Sequence, residues 1–92
     1  MQMIWKYKIP FERSGEFNIA MPKGASILTV AYQPCDKEFS IWTLVNPTLQ
    51  DVKRCFRLIE TGENVNAELT WRYIGILITD GGQYVLNLFE TT

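Results

Sequence analysis

Arginines stand beside aromatic residues at two places in the sequence. Arg54 and Arg57 lie on either side of Phe56, and Arg72 lies between a tryptophan and a tyrosine. A guanidinium can hold a phosphate through two hydrogen bonds while a neighbouring ring stacks on a base. This pattern favours recognition of a nucleotide without any bond being made or broken. In the plainer interpretation, the arginines pair with surface carboxylates and the rings belong to the core.

The candidate ligand-binding residues come from four segments of the chain. The arginines would hold phosphates, an aromatic ring would stack on a base, and the turn at 61–62 would present backbone N–H groups. The set is Arg54, Arg57, Thr61, Gly62, Trp71, Arg72, Tyr73 and Trp42.

The composition gives little support to catalysis or to a metal site. The chain contains no histidine, so a Ser–His or Cys–His pair is excluded. Cys35 and Cys55 match no metal-ligand spacing, and we expect two reduced thiols in or near the core. The stretches "DGG" and "ETG" are typical of turns and not of a phosphate-binding loop. We therefore expect a non-enzyme with no cofactor and no metal.

Length and charge narrow the class of protein further. Ninety-two residues predict a single domain, residues 1–92, and a net charge of −1 gives no basic excess for duplex nucleic acid. No apolar run approaches the ~20 residues of a membrane helix, and no signal peptide is evident. We expect a soluble cytoplasmic protein. Three tryptophans in so short a chain also predict a self-association surface, and hence a homo-oligomer.

The elements that must position these residues are predicted to be about seven short strands. Apolar and polar residues alternate in most segments, and proline, glycine or asparagine separates them. Asp80-Gly81 predicts a hairpin between the last two strands. Segment 25–34 is apolar on both faces, which is typical of a central strand. The pattern predicts an all-β, antiparallel sandwich or partly closed barrel. The predicted strands are residues 3–9, 16–22, 25–34, 38–47, 52–59, 70–79 and 83–90.

Residues 52–59 are ambiguous between a helix and a strand. Val52, Cys55, Phe56 and Ile59 would share one helical face, yet the same segment also alternates with period two. A lone helix of two turns gains little from propensity, whereas a strand gains a hydrogen-bonded ladder. We favour the strand, paired with residues 38–45 or with residues 70–78.

Five stretches of the chain resemble a known protein family. They are "MIWKYKIP" at 3–10, "MPKGASILTV" at 21–30, "IWTLVNP" at 41–47, "FRLIETG" at 56–62 and "RYIGILITDGGQYVLNLFE" at 72–90. Together they resemble short proteins carried by bacteriophages and prophages and described as a domain of unknown function. Members usually carry Gly-Thr-Gly, commonly followed by histidine, where this chain has Glu60-Thr61-Gly62 without that histidine. Because Glu60 is larger than the glycine of other members, it argues against any role that needs close backbone approach at this turn.

The resemblance implies a viral accessory protein that works in the host bacterial cytoplasm. Such proteins commonly block host defence, so it implies immune evasion by a non-enzymatic anti-defence protein. The leading hypothesis is an oligomer that sequesters a cyclic or modified nucleotide signal. One alternative is a direct protein–protein inhibitor of a host defence effector, comparable to an anti-CRISPR protein. A second alternative is a minor structural or assembly protein of the phage.

Overall fold

Seven antiparallel strands in two sheets make up the described part of the chain. The computed structural model describes residues 1–10, 14–66, 70–82 and 84–91, and this part of the chain contains no α-helix. The all-β prediction is confirmed, and the two sheets form a sandwich and not a closed barrel. The strands are β1 (Met3–Lys8), β2 (Gly15–Pro22), β3 (Ser26–Gln33), β4 (Glu38–Val45), β5 (Asp51–Glu60), β6 (Arg72–Ile78) and β7 (Val85–Thr91).

The strand order separates the chain into a three-stranded and a four-stranded sheet. The orders are β1-β4-β3 and β2-β5-β7-β6, with every neighbouring pair antiparallel. Strands β3 and β6 approach each other from the two layers. At this place a Cβ on Gly75 would lie only 3.2 Å from the Val30 Cγ2 atom. The small residue therefore allows the layers to close along one side.

The core lies between the sheets and follows from the alternation in each strand. Phe17 and Phe56 are opposite each other in the β2–β5 register, and their rings stack with centroids 5.4 Å apart. Each fully buried side chain of this size contributes roughly 1.5–3 kcal/mol by leaving water. The other core side chains come from strands β2 to β7 and from the segments beside β1 and β3, and include Ile9, Met21, Ala25, Ile27, Val30, Phe39, Ile41, Val45, Leu58, Leu77, Leu86 and Leu88.

The prediction of a strand at residues 52–59 is confirmed, and its predicted partners are wrong. Phe56 and Leu58 of β5 are fully buried, and Arg57 between them points to the other side. β5 pairs with β2 and β7, not with β4 or β6. The β6–β7 hairpin places β7 against β5 and leaves β6 at the edge. β4 belongs to the other sheet.

The prediction that residues 25–34 form a central strand is also wrong. Among the strands that the structure describes, β3 lies at an edge and forms its ladder with β4. Its register shifts between Ile27 and Thr29, and Leu28 at the shift is 50 % exposed. The bulge turns an apolar residue outward, which explains why the segment appeared apolar on both faces.

Each of the four sheet edges carries a feature that discourages pairing with another chain. β1 has exposed Lys6 and Lys8 on its outward side, and β2 ends at Pro22. β3 and β6 each contain a register shift, the second between Tyr73 and Gly75. Charged residues, proline and bulges all disfavour edge-to-edge strand addition. The sheet faces are therefore better suited to binding than the edges.

Residues 79–84 connect β6 and β7, as the Asp-Gly signal indicated. Asp80–Gly82 form a short 3₁₀ turn, in which Gly81 and Gly82 have φ values of 75° and 68°. The Thr79 N–H donates to the Tyr84 carbonyl at 3.1 Å and closes the hairpin. Positive φ is available to glycine at little cost, which explains the residue type.

Both cysteines are free thiols, and only one is near the core. Cys55 is partly buried in β5, whereas Cys35 is exposed in the turn between β3 and β4. The expectation that both lie in or near the core is therefore wrong for Cys35.

Candidate binding face

Three aromatic rings cluster on the outer face of the four-stranded sheet, the face that points away from the core. The Phe89 ring centroid lies 6.0 Å from that of Trp71 and 5.2 Å from that of Tyr73. Tyr73 and Phe89 are opposite each other in the β6–β7 register, and Arg57 is opposite Phe89 in β5–β7. Three of the predicted site residues, Arg57, Trp71 and Tyr73, are thus brought together.

The Arg57 guanidinium sits between an acid and a ring. Its Nη1 atom donates to the Glu16 Oε1 atom at 2.7 Å, and its Cζ atom lies 5.8 Å from the Trp71 ring centroid. Its Nε atom is shielded from solvent and has no hydrogen-bond partner among the described residues. The Glu16 side chain is 69 % exposed, so this ion pair contributes at most about 1 kcal/mol. A stronger acceptor could therefore take the place of Glu16 at small cost.

A chain of hydrogen bonds links the aromatic cluster to the turn after β5. The Tyr73 hydroxyl donates to Asn87 Oδ1 at 3.1 Å. The Asn87 amide donates to Thr61 Oγ1 at 3.1 Å and to the Ile59 carbonyl at 3.2 Å. Asn87, which sequence reasoning did not single out, therefore holds Tyr73 and Thr61 in place.

The turn at residues 60–63 does not offer the Thr61 backbone N–H to a ligand. The Thr61 N–H donates to the Val85 carbonyl at 3.0 Å, and the Glu63 N–H donates to the Glu60 carbonyl at 3.0 Å. Gly62 has a φ of 94°, the left-handed region that the third position of a type II turn requires. The prediction that Thr61 presents its backbone N–H is therefore wrong, because β7 already accepts that hydrogen.

Three predicted site residues lie away from this face. Arg54 points to the opposite side of the sheet, where it forms an ion pair with Glu90 and donates to the Ala25 carbonyl at 2.8 Å. The hydrogen bond with Glu90 raises the Arg54 pKa against the effect of burial. Arg72 is opposite Glu90 in register, so it faces away from Tyr73. Trp42 lies on the outer face of the three-stranded sheet.

An apolar strip follows the β6 edge of the outer face. We use this name for Tyr73, Ile76, Ile78 and Tyr84, which are 51, 49, 51 and 48 % exposed. Sequence reasoning did not separate Ile76 and Ile78 from the buried Leu77 between them. The alternation of Ile76, Leu77 and Ile78 was the available signal. Because β6 lies at the edge of the sheet, the two isoleucines form an exposed row.

A small cleft lies at the end of this strip. Glu60, Thr61, Tyr84 and Val85 line a space of about 210 Å³. By its register opposite Leu86, the Glu60 side chain belongs to the core-facing side of β5, whereas Val85 lies on the outer face. Within the described part of the chain, the Glu60 carboxylate has neither an ion pair nor a hydrogen bond. A Glu63 carboxylate oxygen lies 3.1 Å from the Glu60 backbone nitrogen, whose hydrogen it accepts. Two carboxylates therefore lie at this end of the sheet.

Neither a metal cluster nor a membrane-spanning helix is present in the described ranges. No group of three or more Cys, Asp or Glu side chains could hold a metal ion. No helix in the same ranges is long and apolar enough to cross a membrane.

Comparison with known proteins gives one match. No curated protein and no solved structure matches the chain. The sequence pattern of a family described as a domain of unknown function, DUF7352, matches residues 1–92. The chain therefore belongs to this family of domains of unknown function.

Proposed function

We propose that the chain is a non-catalytic binding protein that docks another protein on the outer face of its four-stranded sheet. The observation that carries this proposal is the apolar strip, whose four large side chains are each about half exposed. Contiguous exposed apolar residues rimmed by polar ones are typical of interaction sites. Aromatic residues are enriched at protein interfaces, and the strip and the adjoining cluster together contain four of them: Trp71, Tyr73, Tyr84 and Phe89.

The biological setting that we propose is inhibition of a host defence effector by a phage protein. It rests on the resemblance to phage and prophage proteins and on a structure suited to binding. A tight protein inhibitor needs shape, apolar area and a polar rim, and it needs no catalytic residues.

The test compares two variants, Ile76→Lys and Leu28→Lys, which place a lysine on opposite sheets. The chain is expressed in bacterial strains that each carry one defence system and are challenged with a phage sensitive to that system. We expect Ile76→Lys to abolish the rescue of phage growth, because it places a charge in the interface. Leu28→Lys, at an equally exposed position of the other sheet, is expected to preserve rescue. Equal rescue by both variants would contradict the proposal.

Both variants must be folded for this comparison to count. Surface substitutions away from special features usually change stability by no more than about 0.5 kcal/mol. Circular dichroism melts are therefore expected to agree within a few degrees for the two variants and the parent chain.

A second candidate function is sequestration of a nucleotide signal, and Arg57 is the observation that favours it. Its guanidinium lies against the Trp71 ring, and its partner Glu16 is exposed. Within the described ranges its Nε atom has no hydrogen-bond partner. A phosphate could replace Glu16 while a base stacks on the aromatic cluster. Arg54 could not contribute, because Glu90 and the Ala25 carbonyl already occupy it.

A thermal-shift screen against cyclic oligonucleotides and ADP-ribose derivatives tests this candidate. A ligand at a hundredfold excess over its dissociation constant stabilises the folded chain by about 2.7 kcal/mol. We expect Arg57→Ala to remove such a shift without unfolding the protein, and Ile76→Lys to retain it. A panel that gives no shift leaves protein binding as the function.

A further inference from the structure

Two arginines of β5 present the same edge of the guanidinium in different surroundings. Arg54 donates through Nε and Nη2 to the two carboxylate oxygens of Glu90, and through Nη1 to the Ala25 carbonyl at 2.8 Å. Arg57 donates through Nη1 to Glu16 Oε1 at 2.7 Å, and its Nε atom has no hydrogen-bond partner among the described residues. Within these ranges, the edge that holds a carboxylate in Arg54 therefore has no acceptor in Arg57.

The Nε–Nη2 edge of Arg57 has the geometry for a carboxylate. The hydrogens on Nε and Nη2 of a guanidinium point in the same direction, and the two oxygens of one carboxylate accept them in parallel. A shielded donor without an acceptor carries a desolvation penalty, which an acceptor brought by a partner removes. The side chain is 34 % exposed, so a partner can reach the guanidinium, and a change of rotamer presents Nε.

The charges around Arg57 favour a carboxylate over a terminal phosphate on this edge. Glu16 already lies on Nη1, so an incoming anion is placed near a negative charge. A phosphate carries about −1.5 to −2 and a carboxylate a single charge, so the carboxylate is repelled less. The neighbouring positions of the outer face, Cys55, Ile59 and Phe89, supply no second base. One guanidinium edge is thus matched to one carboxylate.

The rings beside Arg57 increase the value of an ion pair at this place. The Arg57 Cζ atom lies 5.8 Å from the Trp71 ring centroid, and Phe89 is opposite Arg57 in register. Hydrogen bonds to a charge strengthen where apolar groups exclude water, and arginine, tryptophan and tyrosine dominate the binding energy of many interfaces. Tyr73 belongs both to the aromatic cluster and to the apolar strip, so a partner that covers the strip reaches Arg57 across one continuous face.

We infer that the protein docked on this face places an aspartate or glutamate carboxylate on the Nε–Nη2 edge of Arg57, as Glu90 does on the same edge of Arg54. The inference rests on the proposed function and names the chemistry of the partner at one point. Glu16 holds Nη1, as the Ala25 carbonyl does at Arg54. The strip supplies the area of contact, and Arg57 supplies the selectivity for an acidic partner.

Selection of displayed random peptides on the immobilised chain tests the inference. We expect the enriched peptides to share an acidic residue beside apolar ones, and replacement of that acid by its amide to lower affinity about tenfold. Arg57→Lys keeps the charge but removes the two-pronged edge, and is expected to lower affinity by a similar factor. Lys53→Gln is the matched control, because Lys53 is an exposed base on the same face of β5. It is expected to change affinity less than about twofold.

The Nε–H signal of Arg57 in a proton–nitrogen NMR spectrum reports on this edge in the parent chain itself. It is assigned through the atoms of its own side chain, and the Nε–H signal of Arg54 is the reference for an edge paired with a carboxylate. We expect a bound acidic peptide to shift the Arg57 proton downfield, toward the Arg54 signal. Arg57→Lys combined with the amide peptide is expected to lose little more affinity than either change alone, because both remove one interaction.

The possible results separate the inference from the proposed function. Peptides that lose binding with Ile76→Lys but tolerate Arg57→Lys and the loss of their acid would overturn the inference and leave the function intact. Peptides that bind Ile76→Lys as tightly as the parent chain would overturn both. A loss with Lys53→Gln equal to that with Arg57→Lys, or an Nε–H signal that a bound acidic peptide leaves unchanged, would overturn the inference alone.

Other occupants of the face give different results in the same series. Thermal stabilisation by inorganic phosphate that Arg57→Lys removes, without enrichment of acidic peptides, would assign the edge to a phosphate and overturn the inference. Self-association of the parent chain in sedimentation, absent in Ile76→Lys, would assign the face to a second copy and overturn it too. A library with no peptide enriched over an Ile76→Lys counter-target would have the same consequence.

Discussion

The ion pair between Arg54 and Glu90 is predicted to be a large single contribution to stability. The two side chains are only 18 % and 11 % exposed, and Arg54 also donates to the Ala25 carbonyl. Arg54→Met keeps an apolar stem of similar length but leaves the Glu90 carboxylate without its partner. Removing one member of a buried pair costs about 3–5 kcal/mol, and the residual exposure points to the lower end, about 3 kcal/mol.

This loss is large enough to measure by thermal unfolding. For a domain of 60–100 residues, 1 kcal/mol shifts Tm by about 4–8 °C, so Arg54→Met is expected to lower Tm by at least ~12 °C. Circular dichroism follows the transition, and guanidinium titration gives the free energy of unfolding independently. Domains of this kind have about 5–15 kcal/mol in total, so the variant could approach the threshold of folding.

The double variant Arg54→Met with Glu90→Leu distinguishes charge from packing. Replacing both members of a buried pair by apolar residues is often neutral or stabilising. We expect the double variant to recover to within about 1 kcal/mol of the parent chain. A double variant as unstable as Arg54→Met alone would refute the reasoning and assign the loss to shape.

Three further expectations concern single positions. Gly75→Val crowds the Val30 side chain and is expected to cost about 1–3 kcal/mol in urea unfolding, with partial recovery when Val30→Ala is added. Gly62→Ala is expected to cost about 1 kcal/mol in thermal melts, since the φ of +94° strains the backbone and no atom within 4 Å would crowd the new Cβ. Burial raises the Tyr7 pKa, so folding favours the protonated phenol. The resulting stabilisation of the folded chain is complete below about pH 10 and is lost as pH rises through the raised pKa. Tyr7→Phe is expected to reduce this alkaline loss in melts across pH.

The strands could be predicted from the sequence because alternation is local information. Phe56 and Leu58 face one way and Arg57 the other, and this period distinguishes β5 from a helix. Alternation states which face a residue occupies, but it does not state which strand lies beside it. The β5 partners and the edge position of β3 depend on contacts between distant segments, and both were predicted wrongly.

The candidate site could be predicted only in part for the same reason. Arg57, Trp71 and Tyr73 meet because β7 lies between β5 and β6 and supplies Phe89. The partner of Arg54 depends on the β5–β7 register, which no local pattern in β5 reveals. The exposure of Ile76 follows from the edge position of β6 in the sheet order.

The order of strands also has a consequence for synthesis on the ribosome. β1 pairs with β4, β2 pairs with β5, and β3 pairs with β4, so none of the first three strands has a partner until Glu38–Val45 has been made. The first local hairpin available to the growing chain is β3–β4, and the second is β6–β7. At about 5–20 residues per second, apolar β1 and β2 remain unpaired for seconds while they emerge. Non-local pairing of this kind also makes folding slow, on the order of milliseconds to seconds. We therefore expect the nascent chain to be a better substrate for chaperones than its length alone would suggest.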